Sequence, residues 1–147
     1  MKISFQKCFH LLGECCTRVE VYYKNKTKAY ERNPQIYGHF TRVIGDDVND
    51  RYYYQSNFAN GFYGIWFCGT EWYVGVTSTS KGKCFGFAHS YFNTDNCVHD
   101  IGYDWKYWDS PNWQSAGDGL AMKCLYALGN YCYSFSFKEY FINENQL

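Results

Sequence analysis

Alternation is the first feature of the chain. In 17–23, TRVEVYY, Val19, Val21 and Tyr23 alternate with polar positions, the period-two pattern of a half-buried strand. The polar run 24–29, KNKTKA, predicts a loop, and Pro34 predicts a turn or a sheet edge. Residues 36–44, IYGHFTRVI, predict a second strand interrupted by Gly38, with a turn at 45–50. Tyr52, Tyr53 and Tyr54 form a short strand, and 56–61 is a loop ending in the turn pair Asn60-Gly61. Residues 63–68 and 72–77 predict two strands joined as a hairpin through 68–71. Alternate residues of a strand face opposite sides, so Ile65, Phe67, Trp72 and Val74 are expected in the core, with Trp66 and Tyr73 on the other face. Further strands are expected at 83–88, 101–107, 119–125 and 131–137, the last with Tyr131, Tyr133, Phe135 and Phe137 on one face. Helical composition is confined to 120–128, and 9–12 could form a turn.

Many short strands between turn signals predict an all-β fold: an antiparallel β-sandwich or closed sheet of short strands, stapled by disulfides. The expected layout is a poorly defined N-terminal segment at 1–14, a single β domain at 15–138 and a C-terminal tail at 139–147. A chain of 147 residues is long enough for one domain with a real core.

Composition sharpens this. The chain has 16 Tyr, 12 Phe and 5 Trp, a bias that suits pleated, half-buried surfaces and argues against disorder. Lys plus Arg number 14 and so do Asp plus Glu, which leaves no basic excess for phosphates, so no nucleic-acid partner is expected. Mean hydropathy is -0.50 and no long apolar run occurs, so no membrane insertion is expected either.

Eight cysteines, Cys8, Cys15, Cys16, Cys68, Cys84, Cys97, Cys124 and Cys132, read as a disulfide framework. Cys84, His89, Cys97 and His99 are separated by four, seven and one residues, which fits no zinc module. A disulfide framework places the chain outside the cell, yet MKISFQKCFHLLGECC is broken by Gln6, Lys7 and His10 and makes a poor secretion signal. Three readings follow: a segment of a longer secreted chain, a truncated reading frame, or another compartment. The triplet Asn25-Lys26-Thr27 is an N-glycosylation sequon, compatible with secretion but common by chance.

Several short motifs occur in order: Cys16-x-x-Val19-x-Val21, Gly38-His39-Phe40, Tyr52-Tyr53-Tyr54-Gln55, Tyr63-Gly64-Ile65-Trp66-Phe67, Trp72-Tyr73-Val74-Gly75, a Trp105/Trp108/Trp113 region and Gly119-Leu120-Ala121-Met122-Lys123-Cys124. Over 15–124 this order resembles a Cys-bounded, aromatic-rich β module repeated in extracellular and adhesion-type proteins of invertebrate animals. Phe40 stands where that module has Tyr, and Asn60-Gly61 follows the tyrosine strand rather than preceding it. The resemblance implies a secreted recognition or structural module and transfers no catalytic residue. Cys15 or Cys16 opens the module's first strand and Cys124 closes its last, so a bridge between them would tie the ends together. Cys84 with Cys97 is the next best pair. Cys68 and Cys132 could pair or stay buried, and Cys8 could take the unused member of Cys15 and Cys16.

No catalytic constellation stands out. His10, His39, His89 and His99 lack a nucleophile signature, and a hydrogen-bonded structural role is the better reading of each. The carboxylates of Glu71, Asp100, Asp104 and Asp109 could serve glycoside hydrolysis, but their spacing along the chain carries no separation in space. No Gly-rich phosphate loop occurs and no cofactor is expected. Asp46, Asp47, Asn49 and Asp50 lack Ca²⁺-loop spacing and read as a solvated turn.

The segment GYDWKYWDSPNW is the candidate binding site: Tyr103, Trp105, Tyr107, Trp108, Asp109 and Trp113. Tyr103, Trp105 and Tyr107 share one face, with Asp104, Lys106 and Trp108 on the other. Exposed rings flanked by Asp and Asn suit a sugar, stacking on its apolar face while polar groups take the hydroxyls. With so many aromatics in the chain, core packing is the competing reading. The expected function is a secreted, non-enzymatic recognition module for a glycan or another extracellular protein. The alternative is a matrix component held together by its tyrosines and cysteines.

Overall fold

The computed structural model describes residues 4–9, 15–91, 97–126 and 131–136, with side chains for 15–91 and 97–125. The chain divides into two units, 14–128 and a second formed by 1–13 with 129–147. In the second unit, strands β1 (Ser4–Phe9) and β11 (Tyr131–Ser136) pair antiparallel, with Cys8 opposite Cys132 in the register. Strand β11, which the sequence reading joined to the domain at 15–138, thus pairs with the N-terminal segment. The expected turn beyond Phe9, the shared face at Tyr131–Phe137 and the tail 139–147 lie outside the described side chains or residues.

The larger unit holds the nine-stranded antiparallel sheet, curled about one core, as the alternating pattern predicts. Its strands are β2 (Arg18–Tyr22), β3 (Gly38–Arg42), β4 (Tyr54–Ser56), β5 (Tyr63–Cys68), β6 (Glu71–Val76), β7 (Ala88–Ser90), β8 (Trp105–Asp109), β9 (Asn112–Ser115) and β10 (Ala121–Tyr126). Each strand from β2 to β8 pairs with the next, and β10 returns to the free side of β2. The inner face carries Val19, Val21, Phe40, Tyr54, Ile65, Trp72, Val74, Trp105 and Met122, all buried. Ile36, Val98, Ile101 and Leu120 close this core from turns between the strands. The Tyr54 hydroxyl, buried among them, donates to the Cys16 carbonyl at 2.8 Å, which satisfies its polar tip.

Hairpin β5–β6 follows the sequence reading: Ile65, Phe67, Trp72 and Val74 join the inner core, and Trp66 and Tyr73 lie on the outer face. Its turn is the two residues Gly69-Thr70, shorter than 68–71, because Gly69 adopts φ +65°, the left-handed start that a tight primed turn needs. The outer face here is also buried. A loop at 81–87 lies over it, fastened by the disulfide Cys68–Cys84 and by the Trp66 indole N–H donating to the Lys83 carbonyl at 2.8 Å. A side chain at Gly75 would stand 2.9 Å from the Trp66 ring and 3.1 Å from the Gly86 Cα, so the covering loop can lie down only because both positions are bare.

That loop explains one misplaced strand. The run 83–88 is not a strand; only Ala88–Ser90 pairs. The strand expected at 101–107 begins at Trp105, because Val98–Asp100 form a 3-10 turn that brings Val98 and Ile101 onto the core. The strand expected at Tyr52 begins at Tyr54, with Tyr53 packed on the outer face beside Trp66. The 24–29 loop gives way to helix α1 (Lys28–Arg32), capped by the Thr27 hydroxyl, which accepts the Ala29 N–H at 3.3 Å. The strand expected at 119–125 is β10 (Ala121–Tyr126), despite the helical composition read at 120–128, because pairing with β2 supplies its backbone hydrogen bonds and buries Met122.

Three disulfides fasten the larger unit. Cys16–Cys124 joins the start of β2 to β10 with Cα atoms 5.6 Å apart, one of the two bridges expected to tie the ends. Cys15 pairs with Cys97 and Cys68 with Cys84, at Cα separations of 5.1 and 5.2 Å. The expected pairs Cys84–Cys97, Cys68–Cys132 and Cys8 with Cys15 are therefore corrected: the curl of the sheet, not proximity along the chain, brings the 97 turn beside β2. Among the described residues no helix is long and apolar enough to cross a membrane.

Candidate functional site

The outer face of β6–β9 is built by register. Tyr73 stands opposite His89, His89 opposite Lys106, and Lys106 opposite Ser115. Two residues further along, Trp108 stands opposite Trp113. Opposed residues share a face, so these side chains line one continuous surface. The β8–β9 connection is the two-residue turn Ser110-Pro111, whose peptide bond is cis.

The Trp108 and Trp113 rings meet edge to face, centroids 5.2 Å apart, and Trp113 meets the His89 ring at 4.3 Å and 87°. His89 in turn stacks on Tyr73, 5.5 Å away and tilted by only 20°. The four rings form a continuous ledge. It runs from buried Tyr73 and His89 through half-buried Trp113 to Trp108, which is 39% exposed.

A buried polar network holds its inner end. His89 Nδ1 lies 2.9 Å from Glu71 Oε2 and 2.9 Å from the Ser90 carbonyl. Both neighbours are acceptors, so Nδ1 carries the proton. The Tyr73 hydroxyl donates to the same Glu71 oxygen at 2.9 Å. Burial and then Glu71, which accepts that hydrogen bond and carries a negative charge, push the Tyr73 hydroxyl up to about 12. The Ser90 hydroxyl accepts the Trp72 N–H at 2.8 Å and is committed to the backbone.

The six residues singled out from sequence separate. Trp108 and Trp113 come together on the outer ledge. Trp105 and Tyr107 are buried in the inner core, 1% and 5% exposed, and are removed from the candidate surface. Their strand faces are as expected; it is the inner one that carries the core. Asp109 forms an ion pair with Arg32 at 3.0 Å and anchors α1. Tyr103 sits in the turn before β8, its hydroxyl 3.4 Å from that of Tyr22. Sequence reading missed the ledge's other members, Glu71, Tyr73, His89 and Lys106. Alternation placed Tyr73 on the outer face, but only the pairing of a three-residue β7 between β6 and β8 joins it to Trp113.

The other candidates resolve as architecture. Cys97, His99 and Asp100 cluster, but the Cys97 sulfur is bonded to Cys15 and offers no thiolate. Cys84 is likewise bonded, which dissolves the Cys84/His89/Cys97/His99 grouping. In the 45–50 turn, Asn49 donates its amide to the Phe67 carbonyl at 2.7 Å and Asp46 pairs with Lys81.

Comparison with protein-family models, curated proteins and solved structures returns no match.

Proposed function

We propose that the 14–128 unit is an extracellular recognition module that binds a saccharide on the Trp108–Trp113 ledge. The observation that carries this reading is a partly exposed Trp108 that packs on Trp113 and through it on the chain His89, Tyr73 and Glu71. A sugar ring has an apolar face that an indole covers and hydroxyls that need partners. Lys106 shares the outer face with Trp108, and its ammonium stands 4.1 Å from the centre of the Tyr91 ring. The ledge loses little freedom on binding because its inner rings are already fixed. The resemblance to extracellular modules and the disulfides support the location.

A glycan array probed with wild type and Trp108→Ala tests the reading. Saturable binding to one saccharide class by wild type, abolished in a variant with an unchanged circular dichroism spectrum, is the expected result. Concentration-dependent self-association with no saccharide bound would replace recognition by a cohesive matrix role.

A further inference from the structure

The chain carries one Asn-x-Ser/Thr triplet, Asn25-Lys26-Thr27, and the fold places it on the connection between β2 and α1 with Asn25 and Lys26 exposed. Each member has a defined position. The Lys24 and Asn25 backbone N–H groups both donate to the Asp118 carbonyl, at 2.9 and 3.2 Å. The Asn25 side-chain nitrogen donates one hydrogen to Asp118 Oδ2 at 3.2 Å. An amide nitrogen has two, so one is left over. Lys26 folds back with its ammonium 5.1 Å from the centre of the Tyr30 ring. Thr27 caps α1.

Beside the triplet stands a wall of three tyrosines. Tyr23, Tyr30 and Tyr37 meet edge to face in every pairing, at 4.9, 5.0 and 5.9 Å. The Tyr37 hydroxyl donates to the carbonyl of Gly119, the neighbour of Asp118. The Asn25 amide and the tyrosine wall are thus both tied to the turn at Gly117–Gly119. Tyr23, two residues before Asn25, is 38% exposed. An exposed ring beside an exposed amide fits a sugar attached to that amide.

We propose that Asn25 is an N-glycosylation site whose first N-acetylhexosamine packs on Tyr23. Asn25 Nδ2 bonds to the anomeric carbon of an oligosaccharide carried on a lipid pyrophosphate. The carbon–oxygen bond to the pyrophosphate breaks, the pyrophosphate leaves with its electron pair, and the amide releases one proton. The remaining N–H is the one that Asp118 accepts, so the linkage leaves that contact in place. The Thr27 hydroxyl, which the sequon requires, is committed in the folded chain to the helix cap. Transfer therefore precedes closure of this turn.

The site rests on the extracellular location in the reading above and not on the ledge. The test is the full chain secreted from a eukaryotic host behind a cleavable leader. Glycopeptide mapping before and after peptide-N-glycosidase is combined with a non-reduced peptide map. The expected result is a glycan at Asn25 that the enzyme releases, leaving aspartate there. Asn25→Gln and Thr27→Asp both lose the glycan and keep the three bridges, since Asp preserves the cap while breaking the sequon. Because the packing forms after transfer, Tyr23→Ala keeps the glycan and abolishes the rise in melting temperature of glycosylated over enzymatically deglycosylated protein. A rise that persists in Tyr23→Ala would overturn the packing on Tyr23. Secreted protein with all three bridges formed and an unmodified Asn25 would overturn the site. Retention of the chain with its bridges unformed would overturn it too, by removing the compartment it needs. Saccharide binding on the ledge is measured on Asn25→Gln protein, so a failure of either idea is visible without the other.

Discussion

Two hairpins of this sheet, β5–β6 and β8–β9, carry the same device to opposite ends. Each opposes two large aromatics on its outer face: Trp66 with Tyr73, and Trp108 with Trp113. Trp66 is fully buried and Tyr73 is 8% exposed, whereas Trp108 is 39% exposed. The strands do not make this difference; what covers them does. Gly64 and Gly75 stand opposite one another beside Trp66 and leave room for the Tyr53 ring and for the 81–87 loop. Trp108 and Trp113 have no such glycine pair and no bridged loop among the described residues. The proposed binding surface rests on this difference in cover, which leaves part of Trp108 open to solvent.

The comparison is broken most forcefully at Trp66. Trp66→Ala removes a fully buried indole and its hydrogen bond to the Lys83 carbonyl. We expect a loss of ~3–5 kcal/mol in denaturant unfolding, the range for large-to-small aromatic changes in cores. A change below about 1 kcal/mol would mean that the outer cover is dispensable and that the two hairpins differ little. Ile65→Ala on the inner face of the same strand is expected to cost ~2–5 kcal/mol.

Next in size is the staple that holds the cover. Replacing Cys68 and Cys84 together by Ser opens a bridge spanning 16 residues. The chain-entropy treatment puts that at ~3 kcal/mol. The distinguishing readout is tryptophan fluorescence: without the bridge the 81–87 loop lifts, and Trp66 becomes accessible to an aqueous quencher in the native baseline. Unchanged quenching would show that the glycine-permitted contacts hold the loop unaided.

These hairpins also mark what the sequence discloses. Alternation within β5–β6 puts Ile65, Phe67, Trp72 and Val74 on the inner core as expected, but it does not disclose that Trp66 and Tyr73 on the other face are buried as well. Alternation within β8 also separates Trp105 and Tyr107 from Trp108. It does not say which face is the core, since both faces are aromatic. Nor does it reveal the ledge: His89 sits on a three-residue strand behind a glycine-rich loop, and its neighbours come from β6 and β9. Cysteine pairing is hidden for the same reason. Cys15 and Cys16 are adjacent along the chain, yet their partners are 82 and 108 residues away. Topology that brings β10 back to β2 is a property of the whole sheet, and no local pattern encodes it.

Tyr73 belongs to both regions, as the partner of Trp66 and the stacking surface of His89. Its hydroxyl is raised from 10.0 to about 12, first by burial and then by Glu71. The folded state therefore keeps the proton after the unfolded chain has lost it. The associated stability is fully present below the ordinary tyrosine value and falls as pH rises between 10.0 and about 12. Burial raises Tyr37 and Tyr54 as well, with the same sign. A tyrosinate absorbance titration of the native protein should show several late-ionising groups, of which Tyr73→Phe removes one. If that variant titrates like wild type, Glu71 is not coupled to the ledge.

The smallest expected effect on stability is the most informative. Trp108 is partly solvated, and its chief ring partner is Trp113. An edge-to-face pair contributes ~0.5–1.5 kcal/mol, and substitutions at exposed positions mostly fall within about 0.5 kcal/mol. Trp108→Ala should therefore cost about 1 kcal/mol in denaturant unfolding, several-fold less than Trp66→Ala measured in the same buffer. Trp113 lies against both Trp108 and His89, so Trp113→Ala should fall between the two. That graded order is what separates a surface from a core: cover grows inward along the ledge, and the cost of truncation should grow with it. Were Trp108→Ala to unfold the domain as readily as Trp66→Ala, the ring would be part of the architecture. The contrast between the hairpins would then be one of packing style alone, and the ledge would have no spare surface to offer a ligand.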